Sequence, residues 1–341
     1  MMSFVAIAFG LAHGGSNANE TTTDFGPFHN CPVLDNGVVR VVLCPSLGGR
    51  ILEYSLAGKN ALWVSEFESS NKPLPRRRDG TAKFPFGGPS AGRFDVGPEH
   101  VTPKRPLLFL GEWTSERMSD LHVRLTSQAC PNSDMRLRRD VVLDTDSTRL
   151  KVTQHIENVG SEAIRRCHWS RTFANSSGVT VIPLSGSSSL PNQYMRYQDG
   201  GLVIWPEDEN LAIRDGFAIL RAPARTTKYG FDSEEGWLAH LQETGLVYVK
   251  QFPVAPERAY GELSSFTLAT WTPESGDKVE LEPIGPLEWI APGESASFTE
   301  TWWVFDSAEL TSDAVAGGLV KLNALRKRVF ELPDFEVTPS L

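Results

Sequence analysis

The chain has 341 residues, of which 40% are hydrophobic and 10% are aromatic, so it can bury a large core without help from disulfides or metals. Its 33 Lys and Arg residues against 42 Asp and Glu residues give a formal net charge of -9. An acidic chain whose basic residues form no stripe is not a typical nucleic-acid binder, and we expect no nucleic-acid partner.

The first 20 residues resemble a secretory signal segment. An apolar run from Phe4 to Ala12 leads into Gly, Ser and Asn residues that suit cleavage. The usual basic residues before the run are missing, so a disordered tail or a misassigned start codon is the alternative. We expect export to the periplasm or the cell exterior. No later stretch reaches about 18 apolar residues, so no membrane span is expected.

Strand patterns dominate the rest of the chain. Short runs rich in β-branched and aromatic residues are separated by Gly, Pro, Asn or Asp, which is typical of a many-stranded antiparallel sandwich. The predicted strands are residues 38–43, 51–56, 121–126, 138–143, 149–157, 178–183, 202–205, 245–252, 260–270, 279–282 and 295–304. No linker composition divides residues 28–332, which predicts a single domain, and we expect a monomer.

Two segments depart from this strand pattern. Residues 72–110 are crowded with Pro, Gly and charge, which predicts an irregular loop region folded over one sheet and lining a cleft. Residues 308–332 carry apolar residues at intervals of three and four, and Pro333 follows them. We expect a terminal helix packed on the sandwich there.

The four cysteines are Cys31, Cys44, Cys130 and Cys167, and their spacing does not fit CxxC metal or redox chemistry. Their even number permits two disulfides in an oxidising compartment, with three possible pairings, and buried free thiols are equally open. No HExxH, P-loop, GxSxG or dinucleotide motif occurs, so neither a metal nor a cofactor is expected.

Motifs near both ends of the predicted sandwich carry a family resemblance. LDNGVVRVVL at residues 34–43 leads into PSLGGRILEY at residues 45–54, and Leu62-Trp63 follows a Gly-Lys-Asn turn. Near the other end, VELEPIGP at residues 279–286 precedes IAPGES at residues 290–295 and FTETWW at residues 298–303. Together they resemble the galactose mutarotase-like, or aldose 1-epimerase-like, superfamily over residues 34–304. Residues 93–100, 171–175 and 235–237 further resemble a domain-of-unknown-function branch of it.

The resemblance implies an all-β fold, an antiparallel β-supersandwich of the galactose mutarotase-like type, here followed by the C-terminal helix. It also implies a sugar or oligosaccharide ligand. Mutarotation needs one group that protonates the ring oxygen and one that removes the anomeric hydroxyl proton. The resemblance implies a histidine on a central strand as the acid and a glutamate near the C-terminal end as the base.

His168 is the candidate for the histidine, because it lies mid-chain in a predicted strand beside Trp169, whose ring suits stacking on a sugar. Glu280 and Glu282 alternate with apolar residues, so both carboxylates fall on one face of a strand. Their proximity would raise a pKa toward neutrality, and Glu280 is narrowly preferred as the base. A buried structural histidine and a solvated outer face are the alternatives.

The remaining candidates are substrate-binding residues. Arg50 follows two glycines that allow close approach of a ligand, and its guanidinium suits sugar hydroxyls or an acidic group on the sugar. A structural ion pair is the alternative for Arg50. The other candidates, for which solvation or core packing is the alternative, are Asp95, Glu99, His100, Trp169, Arg171, Trp237 and Lys250.

Two functions therefore stay open. The first is an aldose 1-epimerase-like isomerase acting on a hexose, with His168 as acid and Glu280 or Glu282 as base. The second is a non-catalytic carbohydrate-binding or accessory module. A polysaccharide lyase or hydrolase is less favoured, because such enzymes usually carry an added helical domain for which this length leaves no room.

Overall fold

Alternation of buried and exposed residues shapes the strands of this protein, whose computed structural model describes residues 21–84, 89–198, 201–203, 208–222, 226–307, 309–310 and 319–333. In strand β9 (Met135–Leu143) and strand β10 (Leu150–Asn158) every second side chain is buried and its neighbours are at least partly exposed. This two-residue period is what a strand shows when one face packs on a core. The signal-like residues 1–20 lie outside the described residues.

The described residues form 23 strands and three helices. The other strands are β1 (Thr22–Phe25), β2 (Phe28–Asp35), β3 (Val39–Cys44), β4 (Arg50–Leu56), β5 (Lys59–Asn60), β6 (Gly92–Gly97), β7 (Trp113–Ser119), β8 (His122–Ser127), β11 (Ile164–Asn175), β12 (Val179–Pro183), β13 (Met195–Gln198), β14 (Gly201–Val203), β15 (Leu211–Arg214), β16 (Phe217–Arg221), β17 (Thr227–Phe231), β18 (Trp237–Leu241), β19 (Leu246–Gln251), β20 (Leu268–Thr272), β21 (Lys278–Pro283), β22 (Glu288–Ile290) and β23 (Ser295–Asp306). The helices are α1 (Glu66–Ser69), α2 (Pro106–Leu110) and α3 (Leu319–Phe330).

Within the described part of the chain, these strands make two antiparallel sheets. The front sheet has the order β1-β2-β3-β4-β6-β11-β21-β20-β17-β13-β14, with β5 beside β4 and β22 beside β11. The back sheet has the order β15-β16-β12-β18-β19-β23-β10-β9-β8-β7. The inner faces meet in one large apolar cluster, in which Tyr54 of the front sheet contacts Tyr248 and Trp302 of the back sheet. The predicted all-β sandwich is confirmed.

Helix α3 covers the outer face of the back sheet. Leu322, Leu325 and Val329 are fully buried and recur at intervals of three and four, so they form one apolar face of the helix. That face packs on a second apolar cluster with Trp237 and Trp303. The terminal helix is therefore confirmed over Leu319–Phe330, while residues 308 and 311–318 of the prediction lie outside the described residues. None of the helices in the described part of the chain has the length and apolar character needed to cross a bilayer.

The prediction for residues 72–110 is wrong in part. This segment contains helix α2 and strand β6, a central strand of the front sheet that pairs with β4 and β11. Strand β6 carries the charged residues Arg93 and Asp95, which are typical of an exposed loop. In the structure both side chains are buried and form ion pairs. The extent of a single domain over residues 28–332 stays a prediction.

Candidate functional site

A pocket of about 280 Å³ opens on the outer face of the front sheet. It lies across five neighbouring strands, β11, β21, β20, β17 and β13, and the loop after β6 forms one wall. Its lining residues are Glu99, Trp169, Arg171, Tyr197, Thr226, Lys228, Trp271 and Glu282. A concave site with aromatic walls and a few convergent polar groups is the usual form of a small-molecule binding site.

Strand register brings the far wall of this pocket together. Tyr197 on β13 is paired with Lys228 on β17, and Lys228 is paired with Trp271 on β20. Directly paired residues of antiparallel strands point to the same face, so the three side chains form a row. The pairing of Trp271 with Glu280 on β21 continues this row toward the centre of the sheet.

Glu282 is the ionisable group at the centre of the pocket. Its Oε2 accepts a hydrogen bond of 3.0 Å from Trp169 Nε1 and lies 2.9 Å from Lys228 Nζ. Its Oε1 is buried and has no hydrogen-bond partner among the described residues. Burial and the nearby charge of Glu280 raise the pKa of Glu282 to about 7, although Lys228 opposes the shift. Glu282 therefore exchanges a proton near neutral pH, and its buried Oε1 has hydrogen-bonding capacity that no described residue uses.

Glu280 differs from Glu282 in its partners. Arg171 donates to it from Nε at 2.7 Å and from Nη2 at 3.0 Å, which is a bidentate ion pair. Burial alone would raise the pKa of Glu280, but the guanidinium of Arg171 lowers it below its usual value. Of the two carboxyl groups, Glu280 is held ionised and Glu282 is the one that titrates.

A buried ionic network supports the pocket from below. Asp95 lies 2.8 Å from Arg105, 3.6 Å from Arg171 and 3.7 Å from Arg93. Burial opposes ionisation of Asp95, but these three guanidinium groups lower its pKa. Since Asp95 does not line the pocket, it positions Arg171 and does not reach a ligand itself.

The ring of Trp169 is held between two cations. The guanidinium carbon of Arg171 and the ammonium nitrogen of Lys228 each lie 4.4 Å from its centroid. Both cations also pair with a carboxylate, so Trp169, Arg171 and Lys228 are fixed before any ligand arrives. Trp271 is only partly buried, which leaves its ring accessible from the pocket.

Glu99 and His100 are exposed on the loop after β6, and Glu99 forms part of the pocket wall. Beneath them Glu262 is buried, and its Oε2 accepts a hydrogen bond of 2.9 Å from the backbone nitrogen of Glu99. Burial raises the pKa of Glu262. Of these two predicted residues, Glu99 lines the pocket and His100 does not; a role in substrate binding stays a prediction for both.

His168 does not join the predicted carboxylates. It precedes Trp169 on β11, and its side chain points to the opposite face, into the core between the sheets. Its ring stacks between Phe94 and Phe298, with centroid distances of 5.8 and 5.7 Å. Burial lowers the pKa of His168 to about 3, so the ring is neutral at physiological pH. We therefore do not retain the interpretation of His168 as the acid.

Three further candidates also lie away from the pocket. Arg50 is buried in an ion pair with Glu68 and donates to the carbonyl of Ser90 at 2.8 Å. This structural ion pair is the alternative that the sequence left open for Arg50. Lys250 is buried between the sheets, 2.9 Å from Glu300. Trp237 packs under helix α3 on the far side of the back sheet.

Sequence reasoning missed Tyr197, Thr226, Lys228 and Trp271, which supply half of the lining residues. No motif marks them, because each lies on or beside a short strand other than the one that carries Glu282. One usable signal was present in residues 227–231, a short segment in which Lys228 is the only charged residue. Within the ranges described, no three His, Cys, Asp or Glu side chains are grouped as a metal site would require.

Comparison with solved structures identifies the architecture. The Slr1438 protein from Synechocystis sp. PCC 6803 superposes with a TM-score of 0.55 at 16% identity, covering 86% of this chain and 100% of that one. A galactose mutarotase-like protein from Lactobacillus casei gives 0.55 at 10% identity, covering 81% and 100%. A candidate aldose 1-epimerase from Escherichia coli K12 gives 0.55 at 16% identity, covering 81% and 98%.

The chain has the galactose mutarotase-like fold. Its sequence matches no protein-family model and no curated protein sequence. At sequence identities of 10–16%, structural similarity establishes the fold alone. What reaction the chain carries out depends on the residues of its own pocket.

Proposed function

We propose that this chain binds a single sugar unit in the pocket of the front sheet and interconverts its anomers, with Glu282 moving the proton. The observation that carries the proposal is the carboxyl group of Glu282, which has a pKa of about 7 and lines an aromatic-walled pocket with its buried Oε1 unpaired among the described residues. At about 280 Å³ the pocket is slightly smaller than most small-molecule sites, which span about 300–1,000 Å³, so it suits a single sugar unit. The resemblance to proteins described as mutarotase-like supports the same reaction class.

The pocket offers groups for both proton transfers. Ionised Glu282 takes the proton of the anomeric hydroxyl, and the electrons of that O–H bond form the carbonyl as the bond between C1 and the ring oxygen breaks. The ring oxygen takes a proton from the ammonium of Lys228, which lies 2.9 Å from Glu282 Oε2. Rotation about the C1–C2 bond and the reverse transfers close the ring on the other face. Protons and electrons balance over the cycle.

The charge pattern favours a neutral sugar. Arg171 is paired with Glu280, and Lys228 is paired with Glu282, so both pocket cations already have a counter-ion. An acidic or phosphorylated sugar would have to displace one of these carboxylates. A neutral hexose instead uses its hydroxyls as donors and acceptors and packs a ring face on Trp271.

A non-catalytic carbohydrate-binding module is the second candidate. It is favoured by one observation, the position of His168 on the opposite face of β11, which removes the predicted acid from the pocket. In this alternative the same aromatic and polar side chains hold a sugar without opening its ring.

Polarimetry with freshly dissolved α-glucose, α-galactose and uronic acids tests the proposal. We expect acceleration for a neutral hexose, and we expect Glu282→Gln to lower kcat/KM by about 10²- to 10⁴-fold. Because the base must be ionised, kcat/KM should rise with pH through about 7.

His168→Leu is the matched control, and it should retain the activity because the ring lies outside the pocket. Full activity in Glu282→Gln would contradict the proposed role of Glu282. Sugar binding by calorimetry without any accelerated mutarotation would instead support the binding module.

A further inference from the structure

Two cysteines face each other at the start of the front sheet. Strands β2 and β3 are paired with Val33 opposite Val42, and the same register carried two residues further sets Cys31 opposite Cys44. Both thiols are fully buried, and each shifts the pKa of the other, so the two side chains are neighbours. Sequence alone leaves three pairings open among four cysteines, and this geometry singles out one.

The type of strand pairing suits a covalent bond. The backbone N–H of Val33 donates to Thr21 at 3.0 Å, away from β3, so Val33 and Val42 form a non-hydrogen-bonded pair. Pairs alternate along an antiparallel ladder. Continued two residues beyond Val33, past Pro32, which has no N–H to donate, this register places Cys31 and Cys44 at a position of the same type. In such a pair the Cα atoms are about 4.5 Å apart, within the range of about 4.4–6.8 Å that disulfides span.

The surroundings of Cys44 favour its thiolate. Its Sγ lies 3.4 Å from Ser46 Oγ, and the charge of Arg50 acts on it. Burial alone would raise the pKa of Cys44, but the neighbouring Cys31 thiol, the charge of Arg50 and Ser46 together lower it. The thiolate is the attacking species in disulfide exchange, and the contacts with Ser46 and Arg50 favour Cys44 for this role.

We propose that Cys31 and Cys44 form a disulfide when the chain meets a disulfide oxidant such as oxidised glutathione. The Cys44 thiolate attacks one sulfur of the oxidant and releases one reduced thiol. Cys31 loses its proton and attacks the Cys44 sulfur of the mixed disulfide, which releases the second thiol. Two protons and two electrons leave the pair, and the oxidant is reduced to two thiols.

The bond would fasten the edge of the front sheet. Strands β1 and β2 are the first two of that sheet, and an edge near a chain terminus is where a sheet opens most easily. The disulfide is independent of the proposed sugar chemistry, since neither cysteine lines the pocket. It fits the export that we propose from residues 1–20, because secreted proteins keep disulfides.

Thiol mapping of the wild-type protein tests the proposal directly. The protein is equilibrated with oxidised glutathione, unfolded, treated with N-ethylmaleimide and digested without reductant for mass spectrometry. We expect one linked peptide joining Cys31 to Cys44, with Cys130 and Cys167 alkylated. Alkylation of all four cysteines, or a link that includes Cys130 or Cys167, would overturn the proposal.

Thermal unfolding adds a second measurement. The oxidised wild type should melt at a higher temperature than the reduced protein, and Cys31→Ser should abolish that difference. Cys130→Ser, a buried cysteine outside the pair, should keep it. If oxidation still raises the melting temperature of Cys31→Ser, the proposed pairing is refuted. If a variant fails to fold, the thiol mapping of the wild-type protein decides.

Discussion

His168 and Trp169 are neighbours in the chain and face opposite sides of the front sheet. Strand β11 is buried on both faces over residues 167–170, so the apolar pattern does not reveal which face holds a ligand. Glu280 and Glu282 were assigned to one face correctly, because they alternate with Val279 and Leu281. A displacement of one residue along a strand moves a side chain to the other face, and this is where the sequence argument failed for His168.

The burial of His168 predicts acid sensitivity. Its pKa of about 3 in the folded state lies below the 6.5 of an unperturbed histidine. The unfolded chain therefore binds more protons between these values, and stability falls as pH is lowered from 6.5 toward 3. Between pH 6.5 and pH 4.5, His168 alone should lower the free energy of unfolding by on the order of 2–3 kcal/mol.

Urea unfolding of wild type and His168→Leu at these two pH values measures this contribution. The variant should lose less stability on acidification than the wild type. Leu325→Ala is the control, because it removes a buried side chain without changing an ionisable group, and it should keep the wild-type pH dependence. Equal slopes for wild type and His168→Leu would contradict the prediction.

At the scale of elements, helix α3 depends on tertiary packing. A helix of 12 residues is marginal by itself in water, so its buried face against the back sheet has to stabilise it. The periodicity of residues 308–332 revealed this helix because intervals of three and four are a local signal. Strand β6 was missed because its buried charges are balanced by partners outside the strand, chiefly Arg105 and Arg171.

Leu325→Ala is expected to destabilise the protein by about 2–5 kcal/mol, because it leaves a cavity between helix α3 and the outer face of the back sheet. The midpoint of urea unfolding measures the change. Lys327→Ala, on the same helix with a side chain that is 79% exposed, should change stability by less than about 0.5 kcal/mol. Similar losses in both variants would show that the helix is not held by its apolar face.

At the scale of the molecule, the two sheets enclose a charged cluster. Lys250 of the back sheet donates to Ser170 at 2.8 Å and Thr172 at 3.1 Å on the front sheet and lies 2.9 Å from Glu300. Glu300 also accepts hydrogen bonds from Gln154 and Trp302. The sandwich could be predicted from the sequence. Contacts between distant strands, and the pocket that such strands form, could not, because they depend on strand pairings that no local pattern encodes.

Lys250→Met should destabilise the protein by about 3–5 kcal/mol, since it leaves Glu300 buried without its cation. Adding Glu300→Gln should restore part of the loss, so the double variant is more stable than the sum of the single changes predicts. Lys59→Met is the matched control, because Lys59 also lies 2.9 Å from its partner, Asp306, but at the surface. It should change stability by no more than about 1 kcal/mol, and additive effects in the double variant would argue against the coupling.

The position of β23 has a consequence for biosynthesis. This strand lies between β19 and β10, so it joins the two halves of the back sheet, and it follows every other described strand in chain order. While the ribosome is still adding residues before Ser295, those halves have no shared partner and leave two strand edges unpaired. Closure of the back sheet must therefore wait until residues 295–306 have been made, and unpaired strand edges expose the nascent chain to aggregation until then.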